Sequence, residues 1–212
     1  EVGKPLGQLY GLQTDGVFED QAAYDAGPTH SNSGVGTIRF VDQDDDGVVN
    51  NDERDYTYLG NTSPKFIYGF TNSFAYKNFD LTIVAQGGYG NKIVNVVERF
   101  TGNLDGAFNV NRGVLNRWKS ESDPGDGRYG TTRAGTTGPE RDWFNDKWIY
   151  DASYLTIKNI TLGYNLPTQN MKAIQALRVY ASIQQALVFT QYPGANPEVS
   201  AAGGLFSGAD RT

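Results

Sequence analysis

The stretch that decides the fold is Pro64–Gly90, PKFIYGFTNSFAYKNFDLTIVAQGGYG. In its first half, bulky aromatic residues share one face of an extended chain: Phe66, Tyr68, Phe70, Phe74 and Tyr76. After a turn at Tyr76–Phe79, apolar residues again occupy alternate positions: Phe79, Leu81, Ile83 and Ala85. Because successive side chains of a strand point to opposite faces, this period of two predicts an antiparallel hairpin of two long strands.

The length of this hairpin favours a membrane. Strands of globular proteins are commonly about 5–6 residues long, whereas a tilted strand that crosses a bilayer needs about 9–11. Aromatic residues near both strand ends match the girdles of outer-membrane barrels, whose other face is polar and lines the lumen. A soluble sheet with its apolar face against a core would show the same alternation, so both readings remain open.

A second pair of strands lies near the end of the chain. Apolar residues alternate along Tyr154–Pro167 and again along Leu177–Thr190, with Gln185 as a polar residue on the apolar face. The phase changes at Lys158–Asn159, which predicts a β-bulge or the start of the strand.

Weaker patterns surround the two hairpins. An earlier strand is predicted over Leu6–Phe18, giving about five long strands in all. The region Asn91–Asp151 is rich in Gly, Asn, Asp and Arg and is predicted to be a long loop, with a short helix near Asn95–Thr101. Short turns on one side and long loops on the other are typical of outer-membrane barrels.

Composition excludes several classes of protein. The net charge of −6 argues against nucleic-acid binding, and a single histidine with no cysteine limits metal and nucleophile chemistry. The 26 glycines and 13% aromatic residues favour twisted strands and turns over helices. No apolar run approaches the ~20 residues of a membrane helix. The start at Glu1, without a signal-peptide pattern, suggests an origin within a longer protein.

The sharpest local motif is the acidic loop, Asp42–Glu53, which fits D-x-D-x-D-G-x5-E. Loops of this EF-hand-like type bind calcium through oxygen ligands, with a glycine at the sharp turn, here Gly47. The predicted ligands are Asp42, Asp44, Asp46, the carbonyl of Val48, Asn50 and Glu53. The residues before the loop look extended rather than helical, so a structural calcium ion is expected instead of a paired sensor. The alternative is a solvated acidic turn without an ion.

Other residues give no clear chemistry. His30 lies among loop-forming residues and is expected to be exposed, and the carboxylates of Glu140, Asp142, Asp146 and Asp151 lack any defined spacing. The aromatic cluster of Trp118, Trp143, Phe144 and Trp148 is expected to pack the loop rather than stack on sugars. Since no nucleophile or nucleotide-binding motif is present, the chain is not expected to be an enzyme.

Several phrases, in order and over nearly the whole chain, resemble the C-terminal region of SusC/RagA-type TonB-linked outer-membrane proteins. They are Leu9–Gly11, Thr14–Phe18, Ile38–Phe40 before the acidic loop, Leu59–Asn61, Pro64–Gly69, Tyr76–Leu81, Arg117–Trp118, Tyr154–Leu155, Lys158–Pro167, Tyr192–Gly194 and Asn196–Glu198. Each phrase alone is weak, but their order and spacing make the resemblance specific. The chain departs from it at Val35–Thr37, where the family often has Pro-Gly-Asp.

The resemblance implies an all-β fold in which residues 1–212 form the C-terminal part of a 22-stranded transmembrane β-barrel, open as a fragment, with long extracellular loops. It also implies an outer-membrane, TonB-dependent importer of glycans, oligosaccharides or peptides. A SusD-like surface lipoprotein would be the partner, and the TonB system would act through an N-terminal region absent from this chain.

The alternative is a secreted, calcium-stabilised β-sandwich module that binds carbohydrate. The two hypotheses differ in where the aromatic face of Phe66–Tyr76 points, outward to lipid or inward to a core.

Overall fold

The computed structural model describes residues 5–102, 109–132, 138–169 and 174–198. The strands are β1 (Gln8–Gly11), β2 (Thr14–Val17), β3 (Ile38–Phe40), β4 (Thr57–Asn61), β5 (Phe66–Tyr76), β6 (Phe79–Tyr89), β7 (Lys92–Val94), β8 (Ile149–Asp151), β9 (Tyr154–Leu166) and β10 (Leu177–Thr190). The helices are α1 (Gln21–Ala26), α2 (Val96–Thr101) and α3 (Gly138–Asp142), with 3₁₀-helices at Arg112–Asn116 and Asp146–Trp148. No helix within the described residues is long and apolar enough to cross a membrane.

The chain divides into two compact units. The sheet unit, formed by the described residues of 63–91 and 151–198, holds four antiparallel strands in the order β10-β9-β6-β5. These strands are 11 to 14 residues long, as the alternating pattern predicts. The β5–β6 turn has Lys77 at φ 52°, a left-handed conformation that suits a two-residue connection. No described residue pairs with the outer edges of β5 and β10.

A line of bulges crosses the sheet. Lys158 of β9 is an extra residue opposite β6, because Val84 pairs with Asn159 while Ala85 pairs with Ile157. In β10, the two residues Gln185 and Ala186 lie opposite the single residue Lys158, and Gln185 has φ 51°. The predicted bulge at Lys158–Asn159 is therefore confirmed. Gln185 itself lies in a bulge rather than at a regular position on the apolar face.

The loop unit, formed by the described residues of 1–62 and 92–150, is built on short strand pairs: β1 with β4, β2 with β3, and β7 with β8. Its core is a cluster of buried apolar side chains: Leu12, Val17, Ile38, Phe40, Val49 and Trp118. The helix predicted near Asn95–Thr101 is present as α2, and the Asn95 side chain caps it by accepting the Glu98 N–H at 3.2 Å.

Two expectations about strands are wrong. The segment Leu6–Phe18 is not one long strand, because Leu12 leaves the ladder and its N–H donates to the Phe144 carbonyl at 2.9 Å. The segment thus contributes β1 and β2 to the loop unit. The described residues therefore contain four long strands instead of about five.

Candidate functional site

One face of the sheet unit is apolar across all four strands. Register aligns Phe74, Leu81, Leu162 and Ala181 in one row, and places Ile83, Ile160 and Ile183 in the next. These side chains are not covered, since Phe74 is 59%, Leu162 50% and Ile183 59% exposed. A soluble protein rarely exposes a continuous apolar surface of this extent.

Aromatic rings lie at both ends of this apolar face. At the β5–β6 turn they are Tyr76, Phe79 and Tyr164, and the rings of Phe79 and Tyr164 are 4.6 Å apart. At the opposite end they are Phe66, Tyr68, Tyr89 and Phe189. The five aromatic residues of β5 are 37% to 72% exposed, which contradicts an inward-facing core and matches a pair of interface girdles.

The other face is polar and internally hydrogen-bonded. The register aligns Ser73, Thr82, Thr161 and Ser182, and the hydroxyls of Thr161 and Ser182 are 3.0 Å apart. The Ser182 hydroxyl also donates to Asn159 at 2.7 Å. This polar face can contact water, whereas the opposite face is suited to apolar surroundings.

Two ion pairs extend this polar face. Arg178 Nε donates to Asp80 at 3.1 Å, linking β10 to β6. Further along, Glu198 contacts the Thr156 hydroxyl and the Lys158 ammonium of β9. Lys158 is the bulged residue of β9. The bulge therefore places its ammonium group against Glu198, in the segment that follows β10.

The acidic loop brings three carboxylates together. Oxygen atoms of Asp42, Asp44 and Asp46 lie within 4.8 Å of one another. Each carboxylate uses one oxygen to accept a backbone N–H of the loop: Gly47 to Asp42 at 2.7 Å, Asp46 to Asp44 at 3.3 Å, and Val48 to Asp46 at 2.8 Å. The second oxygen of Asp42 is shielded from solvent and has no hydrogen-bond partner among the described residues.

The remaining predicted ligands are placed differently. The Val48 carbonyl accepts the Asn50 side-chain amide at 3.1 Å, and Glu53 is exposed outside the carboxylate group. Gly47 has φ 84°, a left-handed conformation that suits glycine. Val49 is 2% exposed and joins the core of the loop unit, so one side of the acidic loop is anchored while the carboxylates remain near the surface.

A residue just beyond the motif holds the acidic loop in shape. The fully buried carboxylate of Asp55 accepts the N–H groups of Gln43 at 3.1 Å and Asn50 at 2.6 Å. It thereby joins the first and second halves of the loop. Sequence reasoning missed this role because Asp55 lies outside the motif, and only folding brings it beneath both backbone segments.

The pKa values of Asp42 and Asp44 are shifted in opposite directions. Burial raises the pKa of Asp44, and repulsion from Asp46 adds to this effect. Burial acts in the same direction on Asp42, but hydrogen bonds from the loop, beginning with Gly47 N–H, outweigh it and lower the pKa of that carboxyl. A bound cation would favour the ionised form of both Asp42 and Asp44.

The expectation that His30 is exposed is wrong. It is 7% exposed and lies against the rings of Phe40 and Trp143, at 5.8 Å and 5.2 Å between centroids. Its Nδ1 accepts the Asn32 N–H at 3.2 Å, and burial lowers its pKa to about 4. His30 is thus a neutral packing residue of the loop unit at physiological pH.

The tryptophans pack the loop unit, as expected. Trp118 is 7% and Trp148 2% exposed. The Trp118 ring lies against Gly36, where an added Cβ would come within 2.5 Å of it and where φ is 87°. The Trp118 Nε1–H donates to the Glu19 carbonyl at 2.9 Å, so this ring is not a free platform for a sugar.

The loop carboxylates are used structurally. Glu140 forms an ion pair with Lys147, both side chains being less than 10% exposed, and Asp146 accepts the Thr14 N–H and hydroxyl at 3.0 and 2.7 Å. Asp142 pairs with Arg141 at 2.8 Å. Each of these three carboxylates therefore has a partner within the loop unit.

Comparison with known proteins identifies relatives of one kind. No family model matches the sequence. The TonB-dependent receptor P3 of Formosa agariphila is 31% identical, with 93% of this chain and 19% of the receptor aligned. The TonB-dependent receptor SusC of Bacteroides thetaiotaomicron is 28% identical, over 76% of this chain and 15% of the receptor. The chain thus spans about a fifth or less of the length of these relatives.

A solved structure of the RagAB peptide importer in the open-open state has the same fold. The two superpose with a TM-score of 0.72 at 18% identity, covering 98% of this chain and 22% of the other. The chain is thus a relative of TonB-dependent receptors of the SusC/RagA type and matches a part of their length.

Proposed function

We propose that this chain forms a section of the wall of an outer-membrane β-barrel that imports nutrients with energy from TonB. The observation that carries the proposal is the sheet unit, which has an exposed apolar face between two sets of aromatic rings and a polar face opposite. Residues on the apolar face contact lipid, and residues on the polar face line the water-filled interior.

The outer edges of β5 and β10, with which no described residue pairs, support the same conclusion. Backbone N–H and C=O groups at the outer edges of β5 and β10 need partners, because lipid offers no hydrogen bonds. Neighbouring strands of a closed barrel supply them. The sheet unit therefore works within a larger barrel, for which the resemblance to the family implies about 22 strands and long extracellular loops.

The proposed partner and substrate are taken from the resemblance to SusC-type and RagA-type receptors. SusC-type and RagA-type receptors suggest a SusD-like surface lipoprotein as the lid and the TonB system as the source of energy. The transported nutrient is a glycan, an oligosaccharide or a peptide, and the RagAB importer is named for peptides. The β-sandwich alternative receives no support, because the aromatic residues of β5 remain exposed.

The two faces can be tested by spin labelling, since the chain has no cysteine and single cysteines can be introduced without background. Nitroxide labels at Ile83→Cys and Leu162→Cys should collide with lipid-soluble oxygen when the receptor containing this chain is placed in vesicles. Labels at the adjacent positions Thr82→Cys and Thr161→Cys should collide with a water-soluble nickel complex. Equal accessibility at adjacent positions would contradict a membrane wall.

We also propose that the acidic loop binds a structural calcium ion. Asp42, Asp44 and Asp46 already converge, and the Val48 carbonyl, Asn50 and Glu53 complete the set of oxygen ligands on binding. Isolated extracellular sites of this type have dissociation constants on the order of 10⁻⁴–10⁻³ M. The ion would stabilise the folded loop unit by about 1.4 kcal/mol at a calcium concentration tenfold above the dissociation constant.

Calcium binding is tested by calorimetric titration of the chain and of Asp42→Asn, Asp44→Asn and Glu53→Gln. Each variant should lose most of the affinity, whereas Glu121→Gln, an exposed acid outside the loop, should behave like the parent. Binding that is equal in all four variants would remove the acidic loop as the site. The affinity should also fall as the pH is lowered, because protons compete for Asp44, whose pKa is raised.

A further inference from the structure

The residues that follow β10 turn back over the sheet. Residues 191–198, called the strap below, leave β10 at its last residue, which pairs with Tyr154 at the start of β9. Glu198, at the far end of the strap, contacts Thr156 and Lys158, which lie further along β9. The strap therefore does not continue beyond the end of the sheet but returns along β9.

The strap covers one point of the polar face. Thr156 and Gln86 are neighbours on this face, because they pair between β9 and β6. Gln86 is exposed, whereas Thr156 is 0% exposed and its hydroxyl contacts the Glu198 carboxylate. This difference between two paired positions of one open face indicates that the strap lies over Thr156.

Local hydrogen bonds shape the strap at both ends. At its start, the Thr190 hydroxyl donates to the Ser153 carbonyl at 3.0 Å and accepts the Tyr192 N–H at 3.1 Å. At its far end, the Asn196 side chain accepts the Glu198 N–H at 2.9 Å. A side chain that binds the backbone two residues further on forms a compact turn, and this turn directs Glu198 towards β9.

An ion pair fastens the far end of the strap. The side chains of Lys158 and Glu198 are 25% and 13% exposed, so their charges are partly shielded from water. Lys158 belongs to the bulge of β9, where the pairing with β6 is already interrupted. Ion pairs that keep some contact with water contribute little stability each, so thermal motion can separate this pair without unfolding the sheet.

We propose that the strap is a latch on the polar wall, which is closed by the Lys158–Glu198 pair and opens when this pair separates. The inference rests on the proposed function, in which the polar face lines the interior of a barrel. The closed strap occupies space beside the wall, at the end of the sheet opposite the β5–β6 turn, and neutralises the Lys158 ammonium. The open strap exposes that ammonium and the Thr156 hydroxyl to the interior, so one ion pair controls both the width and the charge of the passage.

Cysteine modification measures how often the strap is open. The chain has no cysteine, so Thr156→Cys, in the receptor containing this chain, introduces a thiol beneath the strap. In vesicles a water-soluble maleimide should modify this thiol slowly, because the reaction requires the strap to open. Gln86→Cys is the control: it lies at the paired and exposed position of β6 and should react as an open thiol does.

Variants of the ion pair test what holds the strap closed. Glu198→Gln and Lys158→Gln should each speed the modification of Thr156→Cys about two- to fivefold, because each removes the attraction between the charges. Exchange of the charges, Lys158→Glu together with Glu198→Lys, should bring the rate back towards that of the parent. Asp80→Asn breaks the other ion pair of the polar face, with Arg178, and should leave the rate unchanged.

A nitroxide label reports the same motion without altering Thr156. At Ala195→Cys, an exposed position of the strap, the motion of the label should be slow in the parent. A mobile component should appear in its spectrum in Glu198→Gln but not in Asp80→Asn. This measurement decides the proposal if Thr156→Cys does not fold.

Three results would overturn the latch. The first is modification of Thr156→Cys as fast as that of Gln86→Cys in the parent. The second is an unchanged rate and an unchanged label spectrum in Glu198→Gln, and the third is a charge exchange that reacts as fast as the single variants. The label at Ala195→Cys does not depend on which face contacts lipid, so the result for the strap and the spin-label test of the barrel wall can fail independently.

Discussion

The two units use the same types of apolar residue in opposite ways. In the sheet unit Phe74 and Ile183 are both 59% exposed, whereas in the loop unit Phe40 is 1% and Leu12 0% exposed. The loop unit buries its apolar surface within itself, as a protein in water must. The sheet unit leaves its apolar surface outside, which is stable only where the surrounding solvent is itself apolar. The loop unit is therefore suited to water, and the sheet unit is suited to apolar surroundings.

The largest expected difference between the units concerns phenylalanine. Phe40→Ala should destabilise the loop unit by about 3–5 kcal/mol, because it leaves a cavity in a closed core. Phe74→Ala should change the stability of the loop unit by less than about 0.5 kcal/mol, because its ring contributes to no core there. All three tryptophans lie in the loop unit, so denaturation followed by tryptophan fluorescence measures this unit selectively. Similar losses for both variants would contradict the separation of the two units.

A smaller effect is expected from charge on the two faces of the sheet. Ile160→Arg places a charge on the apolar face and should cost about 2–4 kcal/mol if the position lies near the middle of the bilayer. Thr161→Arg, one residue further on, places the same charge on the polar face and should be nearly neutral. The measurement is the stability of the receptor containing this chain after refolding into lipid vesicles. Equal costs would mean that both faces meet the same solvent.

The smallest effect is a pH dependence that belongs to the loop unit. The pKa of His30 is about 4 in the folded state and 6.5 as its ordinary value, so between these values the unfolded chain binds more protons. The contribution of His30 to the free energy of unfolding is therefore fully present above pH 6.5. It is lost as the pH falls towards 4, which lowers the free energy of unfolding by about 2–3 kcal/mol. The Gln side chain of His30→Gln cannot titrate. In this variant the contribution of His30 to the slope of unfolding free energy against pH should disappear. An unchanged slope in that variant would show that His30 is not the responsible group.

Much of the sheet unit could be predicted, because the alternation of apolar and polar residues along each strand is visible in the sequence. The alternation along Phe66–Tyr89 and Tyr154–Thr190 predicts the four long strands, their faces and the bulge at Lys158. The loop unit was predicted less well. The burial of His30, the break of the strand at Leu12 and the support of the acidic loop by Asp55 all depend on residues far away in the sequence or outside a motif.

The sequence by itself determined which side chains share a face, where the sharp turn at Gly47 falls and which carboxylates are close together along the chain. These features depend on neighbours within a few residues, and backbone geometry translates spacing directly into direction. Only the tertiary structure decided that the apolar face stays uncovered, that Lys147 pairs with Glu140, and that Asp55 joins the two halves of the acidic loop. Such pairings depend on long-range packing, which no local periodicity encodes.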